Sequence, residues 1–288
     1  NTPRCRITAR GADGLGHQME AKLTCMAVAA ALGFEYIHVP LHHLDHKANA
    51  TEIEEFLNLG APYEHYSNWR GDDPILKKRD APNVGRCKEP GWIRRVELGT
   101  ETCKADGKTL YWHDNCWDRF YCYGFAESGF LYNLVPQFQR LYFAKPKPEP
   151  NWLEGMPGNW GAKVVMHIRG GDGAQISTDF YIRAREDLRK LLGGAGKSPP
   201  LFRVQTDANA TMLLERVPAL LGPDTIFDDK YSSTVTLAFH RMVVADAFVM
   251  ARSGLSMTAA FIGNQSTVFM PHSCWDRQAL PHWTKRSC

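Results

Sequence analysis

Val164-Val165-Met166-His167-Ile168-Arg169-Gly170-Gly171-Asp172 is an apolar run that stops abruptly in an imidazole, a guanidinium, two glycines and a carboxylate. A short apolar run bounded by glycine reads as a buried strand, and its charged end reads as the loop that the strand delivers. In open parallel α/β sheets ligands sit beyond the carboxyl ends of the strands, where helix amino termini favour anions. An arginine placed there can fork onto phosphate oxygens, and glycine lets backbone approach closely. The stretch therefore points to an α/β fold and to a nucleotide or nucleotide-sugar site. The competing reading is a structural ion pair between Arg169 and Asp172, which has no need of two glycines.

Outward from this strand the pattern repeats. The sequence predicts strands at 163–168, 201–206, 225–227, 247–250 and 267–270, separated by helices at 179–192, 209–217, 234–245 and 256–262. Strands alternating with helices imply parallel βαβ units with right-handed crossovers. Upstream, a strand over 6–10 runs into Gly11-Ala12-Asp13-Gly14-Leu15-Gly16. An alanine-rich helix from His17 to Leu32 follows, with Gly33 as its stop and a strand over 36–39. Proline, glycine and polar residues dominate between Tyr63 and Asn115, which predicts loops held by disulfides.

The segment Ala144-Lys145-Pro146-Lys147-Pro148-Glu149-Pro150 cannot continue a helix and reads as a linker. We therefore expect two Rossmann-like domains facing a cleft, over residues 1–150 and 151–270. Cysteines crowd the first 122 residues and the end of the chain, so a tail over 271–288 is expected to return to the first domain.

Composition narrows the class. The 288 residues carry 34 basic and 31 acidic side chains without a dense basic block, so nucleic acid is not implied. No apolar run approaches the ~20 residues of a membrane span and no secretory leader is visible, so any membrane attachment would use an N-terminal anchor absent from this stretch. Eight cysteines without CxxC spacing fit disulfides. With the sequons at Asn49, Asn209 and Asn264, they predict an oxidising location: the secretory pathway, Golgi or ER lumen, or the cell exterior.

Four motifs in order carry a resemblance. His167-Ile168-Arg169-Gly170-Gly171-Asp172 resembles the HxRRGD-type donor motif of the α1,2-, α1,6- and protein O-fucosyltransferases, and Gly14-Leu15-Gly16-His17-Gln18-Met19 is similar to the GLGNQM-type loop of the α1,2 family. Val204-Gln205-Thr206-Asp207 resembles their strand ending in Thr-Asp. The run from Ala245-Asp246 through Arg252-Ser253-Gly254-Leu255-Ser256 to Ala260 is similar to their last motif. The resemblance implies a GT-B glycosyltransferase, inverting and without a metal cofactor, that uses GDP-fucose as donor and a glycan or glycoprotein as acceptor. It implies donor contacts from Gly14, Gly16, His167, Arg169, Asp207, Asp246, Arg252, Ser253 and Ser256, with Arg169 on the β-phosphate and hydroxyl or backbone donors from the 253–256 loop. Departures are Gly170 for the second arginine, His17 for the loop asparagine and Ala238 for an acidic residue that reads guanine in relatives. Another nucleotide sugar, or a silent sugar- or nucleotide-binding relative, remains an open alternative.

Inversion needs a base for the acceptor hydroxyl. The resemblance places it on the glycine-rich loop, where Asp13 and His17 are the candidates. Asp13 has the alternative role of capping the following helix, and Glu20 reads as a solvated residue. Asp172 and Asp179 are second-line bases. The aromatic cluster from Tyr111 to Phe125 reads as packing around Cys116 and Cys122. Asp72-Asp73 and Asp228-Asp229 read as solvated loop residues, and His42-His43 with Asp45 and His46 as a polar loop without a defined metal geometry.

Overall fold

A computed structural model describes residues 6–10, 14–42, 44, 49–66, 77–80, 109–114, 130–153, 156–170, 176–194, 196–207, 211, 215, 217–229, 234–271 and 283–286. The chain divides into two compact units, Asn1–Lys145 and Pro146–Cys288, so the division falls at the head of the proline-rich segment.

The first unit holds β1 (Arg6–Arg10), α1 (Leu15–Leu32), β2 (Glu35–His38), α2 (Ala50–Leu57), β3 (Glu64–His65), β4 (Lys77–Asp80), β5 (Thr109–Asp114) and α3 (Phe130–Phe143). Its strands form one parallel sheet in the order β3-β2-β1-β5-β4. α1 ends where expected: Gly33 takes the left-handed conformation at φ 67° that closes a helix without a Cβ penalty. Every residue from Gln18 to Ala27 is buried, so α1 lacks a solvated face and is a central helix.

That burial corrects the solvated reading of Glu20, which is 1% exposed. The other polar groups of α1 work inward. The Gln18 carboxamide donates to the His42 carbonyl at 2.7 Å and accepts from its N–H at 3.3 Å. Lys22 Nζ donates to the Val39 carbonyl, and burial pushes its pKa down to about 8. From α2, Glu54 accepts from the Leu41 N–H at 2.9 Å and pairs with His38 Nε2 at 2.7 Å. Three side chains, Gln18, Lys22 and Glu54, thus fix the segment that leaves the carboxyl end of β2.

Between Tyr63 and Asn115 the expectation of loops alone is corrected by β4 and β5. β4 reads Lys-Lys-Arg-Asp and closes the sheet on one side, where a charged edge strand blocks further pairing. β5 contains Tyr111-Trp112-His113, so the start of the aromatic cluster is a strand paired to β1. Trp117, Phe120, Tyr121, Tyr123 and Phe125 lie outside the described residues. So do all cysteines but one: Cys25 is a buried thiol within α1.

The second unit holds β6 (Lys163–Ile168), α4 (Thr178–Leu192), β7 (Leu201–Thr206), a 3-10 turn (Pro218–Leu220), β8 (Thr225–Asp228), α5 (Val235–Val244), β9 (Ala247–Val249), α6 (Gly254–Ile262), β10 (Thr267–Pro271) and β11 (Trp283–Arg286). Six strands lie parallel in the order β11-β10-β9-β6-β7-β8. One face of β6 and β7 presents Val164, Met166, Ile168, Phe202 and Val204, which pack on Phe180, Ala184 and Leu188 of α4. Ser177 caps α4 by accepting from the Phe180 N–H, and Thr234 does the same for α5 at Leu237. The tail expectation is corrected: Trp283–Arg286 pairs with β10 in the second sheet instead of returning to the first unit. Among the described residues no helix is long and apolar enough to cross a membrane.

Candidate donor site at the switch point of the second sheet

From β6 the chain winds through β7 to β8, then crosses to the other side of β6 to lay down β9, β10 and β11. Strand order reverses between β6 and β9, and in open α/β sheets the connections that leave two such strands run to opposite faces, which is where ligands bind. Arg169 and Gly170 leave β6 at that point, Asp207 follows β7, and Arg252 and Ser253 follow β9. Five of the residues expected to hold a donor, His167, Arg169, Asp207, Arg252 and Ser253, thus come from three neighbouring strands at one end of the sheet.

Their contacts define what each can do. The Gly170 N–H donates to Asp207 Oδ1 at 2.6 Å, and Arg169 Nε lies 4.0 Å from Asp207 Oδ2. The Arg169 side chain is 35% exposed, so the pair is a weak surface one and leaves the guanidinium fit to meet an incoming anion. Arg252 is exposed on the loop that follows β9. α6 begins here and brings the positive end of its dipole.

The serine assignments change. Ser253 caps α6, its Oγ accepting from the Leu255 N–H at 3.2 Å. Ser256 is fully buried: its Oγ accepts from the Ala251 N–H at 3.2 Å and lies 2.5 Å from His167 Nδ1. It therefore positions the β9 loop and the imidazole, and is not a hydroxyl offered to a ligand. Sequence gave no sign of this, because the contact joins residues on β6 and α6.

Asp246 is corrected outright. Its Oδ2 accepts from the Lys163 N–H at 2.7 Å, its own N–H donates to the Lys163 carbonyl, and its carbonyl accepts from Ser266. It clasps the amino ends of β6, β9 and β10, about 20 Å of strand away from the crevice. A motif that includes the start of a strand carries fold as well as function, and Asp246 belongs to the fold.

Asp228 is not a solvated loop residue. It closes β8, is 8% exposed, and accepts from Arg241 Nη1 at 2.8 Å with Arg203 Nη1 at 3.3 Å. Both arginines are 2% exposed. Arg241 also donates from Nε to the Pro150 carbonyl at 2.7 Å, anchoring the end of the proline-rich segment.

In the first unit, Gly14 occupies the cap position of α1 and has no side chain to cap with. Gly16 and His17 lie in the first turn of α1, with His17 half-buried. Asp13 itself, Asp172, Asp72-Asp73, His43, Asp45, His46 and Asn209 lie outside the described residues, and Asp179 sits in the first turn of α4.

Burial pushes the His167 imidazole down to about 4, with Asp207 opposing and Arg169 reinforcing the shift. The ring is neutral near pH 7, and its folded pKa lies below the unfolded value of about 6.5. Between those values the unfolded chain binds the extra proton, so stability rises with pH. His167 alone should remove roughly 3 kcal/mol as pH falls from 6.5 to 4. Urea unfolding of the wild type and His167→Asn across that range checks it: the variant should lose distinctly less.

No model of a known protein family matches the sequence, and no curated protein does. Among solved structures, the chain is similar to NodZ α1,6-fucosyltransferase co-crystallised with GDP, at TM-score 0.50 and 13% identity over 90% of this chain and 93% of that one. The chain has the NodZ fold. POFUT1 in complex with GDP-fucose aligns over 92% of this chain and 96% of its own, at TM-score 0.47 and 12% identity. At these identities the likeness to NodZ speaks for the fold, and the chemistry rests on the residues at the switch point.

Proposed function

We propose that this chain is a GT-B glycosyltransferase that transfers fucose from GDP-fucose to a glycan or protein acceptor, with inversion and without a metal. The observation that carries this reading is the placement of Arg169 with the amino end of α6 at the switch point of a sheet whose fold is shared with a fucosyltransferase. NodZ was crystallised with GDP. A phosphate group is what a guanidinium, a second arginine at 252 and a helix amino end favour together.

In the reaction the acceptor hydroxyl oxygen forms a bond to the anomeric carbon as the bond from that carbon to the β-phosphate oxygen breaks. GDP leaves with the electron pair, and the hydroxyl proton passes to a base. Arg169 stabilises the charge that develops on the leaving phosphate, the task a divalent cation performs in other transferases. Asp207 holds the Gly170 backbone, which fixes the turn that carries Arg169. The neutral His167, locked by Ser256, offers its remaining ring nitrogen to the nucleoside. Asp13 is the first candidate for the base and His17 the second. Asp13→Asn should lose turnover while retaining GDP binding; retained turnover transfers the role to His17.

Transfer from GDP-fucose in the presence of a chelator tests the reading, with the anomeric configuration of the product read by proton NMR. Inverted product without added metal supports it, and a metal requirement or retained configuration overturns the mechanism.

We further propose a location in the secretory pathway, which the eight cysteines and three sequons favour. Asn49 and Asn264 are exposed in their sequons, Asn49 at the start of α2. Protein secreted from animal cells should shift in mass on endoglycosidase treatment, and Asn49→Gln with Asn264→Gln should reduce that shift.

A further inference from the structure

The second sheet carries a polar row on the face opposite its α4-packed side. His167 of β6 stands in register with Gln205 of β7, and Gln205 with Asp228 of β8. Registered residues of parallel strands point to the same face, while Phe202, Val204 and Thr206 point to the other. His167 is held by Ser256, and Asp228 by two arginines. Gln205 differs. It is 2% exposed, and neither Oε1 nor Nε2 has a hydrogen-bond partner among the described residues.

A buried carboxamide with both ends unmade is costly, and such a group at a strand end beside a site calls for a partner that arrives later. Two residues on, Asp207 binds the Gly170 backbone, so Gln205 belongs to the carboxyl end from which Arg169 emerges. The chemistry of the missing partner follows from the carboxamide, which offers one donor and one acceptor side by side. A phosphate only accepts and would leave Oε1 unmade. A base edge with a carbonyl beside a ring N–H satisfies both.

We propose that Gln205 reads the base of the nucleotide donor, Nε2 donating to the base carbonyl and the ring N–H donating to Oε1. This rests on the donor reading above. Guanine and uracil share that edge, and GDP-fucose makes guanine the expected base. Gln205 is thereby a specificity-determining residue, and its unmade hydrogen bonds are the stability given up for that role.

Calorimetric titration of GDP, UDP and inorganic pyrophosphate into wild type, Gln205→Leu and Gln205→Met tests the proposal, with thermal unfolding run on each. Either variant removes the unmade polar groups at similar volume, so melting should be unchanged or higher. GDP affinity should fall about 10- to 100-fold, the range for one or two lost hydrogen bonds, with pyrophosphate binding unchanged. Unchanged nucleotide affinity in a folded variant overturns the proposal, as does an equal loss for pyrophosphate. Wild-type binding of UDP but not GDP, lost in the variants, supports base reading by Gln205 and overturns the GDP-fucose donor. Wild-type protein that binds neither nucleotide overturns the donor reading itself.

Discussion

Arg169→Ala should lose about 10³-fold or more of transferase turnover, the scale seen when a single transition-state donor or phosphate-clamping arginine is removed. The side chain is partly exposed at the end of β6 and fills no core volume, so the melting temperature should stay close to wild type. Removing it also frees Asp207, whose remaining contact with the Gly170 N–H keeps the turn in place. Arg169→Lys should recover little, because an ammonium retains the charge but not the planar fork that engages two phosphate oxygens. Turnover and thermal unfolding measured on the same preparations separate chemistry from folding. A folded Arg169→Ala protein with wild-type turnover would remove Arg169 from the donor site.

The second large effect is on stability. Asp228→Ala should cost about 3–5 kcal/mol, because it leaves two buried guanidinium groups without their shared counter-charge. Arg203 and Arg241 are each 2% exposed, so neither guanidinium is solvated where it stands. Against a whole-chain stability of about 5–15 kcal/mol, a loss of that size brings the second unit close to unfolding. Asp228→Asn should be milder, since the amide oxygen still accepts from Arg241. Urea unfolding gives the comparison. A loss below about 1 kcal/mol for Asp228→Ala, the level of a solvated ion pair, would contradict the buried arrangement.

Much of the fold was legible because the second unit is built from fully buried parallel strands, which write themselves as short apolar runs between helices. β6 and β7 fall on the expected residues, and α4, α5 and α6 differ by only a residue or two at their ends. Glycine marked both the end of α1 and the site at β6. β4 and β5 escaped for a physical reason: an edge strand made of Lys-Lys-Arg-Asp has no apolar pattern, and an aromatic strand resembles a small disulfide-rich core. β11 escaped because cysteine spacing suggested that the tail went elsewhere.

The cluster of polar residues at the strand ends was legible, and the contacts that support it were not. His167, Arg169 and Asp207 sit at strand ends, where sequence position alone implies exposure to a ligand. Ser256 and Asp246 share a motif with Ser253, and only packing separates the hydroxyl that locks an imidazole from the carboxylate that clasps strand starts. The clearest overlooked signal is β7 itself. Leu201-Phe202-Arg203-Val204-Gln205-Thr206 places Arg203 and Gln205 two apart on a strand buried along its whole length, which is where a parallel sheet should be apolar. Alternating polar residues there require buried partners: for Arg203 the partner is Asp228, and for Gln205 it is the proposed base.

The central claim is that the switch-point crevice holds GDP-fucose and that the leaving phosphate needs no metal. Turnover from GDP-fucose, GDP-mannose and a set of UDP-sugars, measured side by side in the presence of a chelator, tests it most directly. GDP-fucose alone should be turned over. Turnover of a UDP-sugar instead, or of GDP-fucose only after a divalent cation is restored, would contradict it.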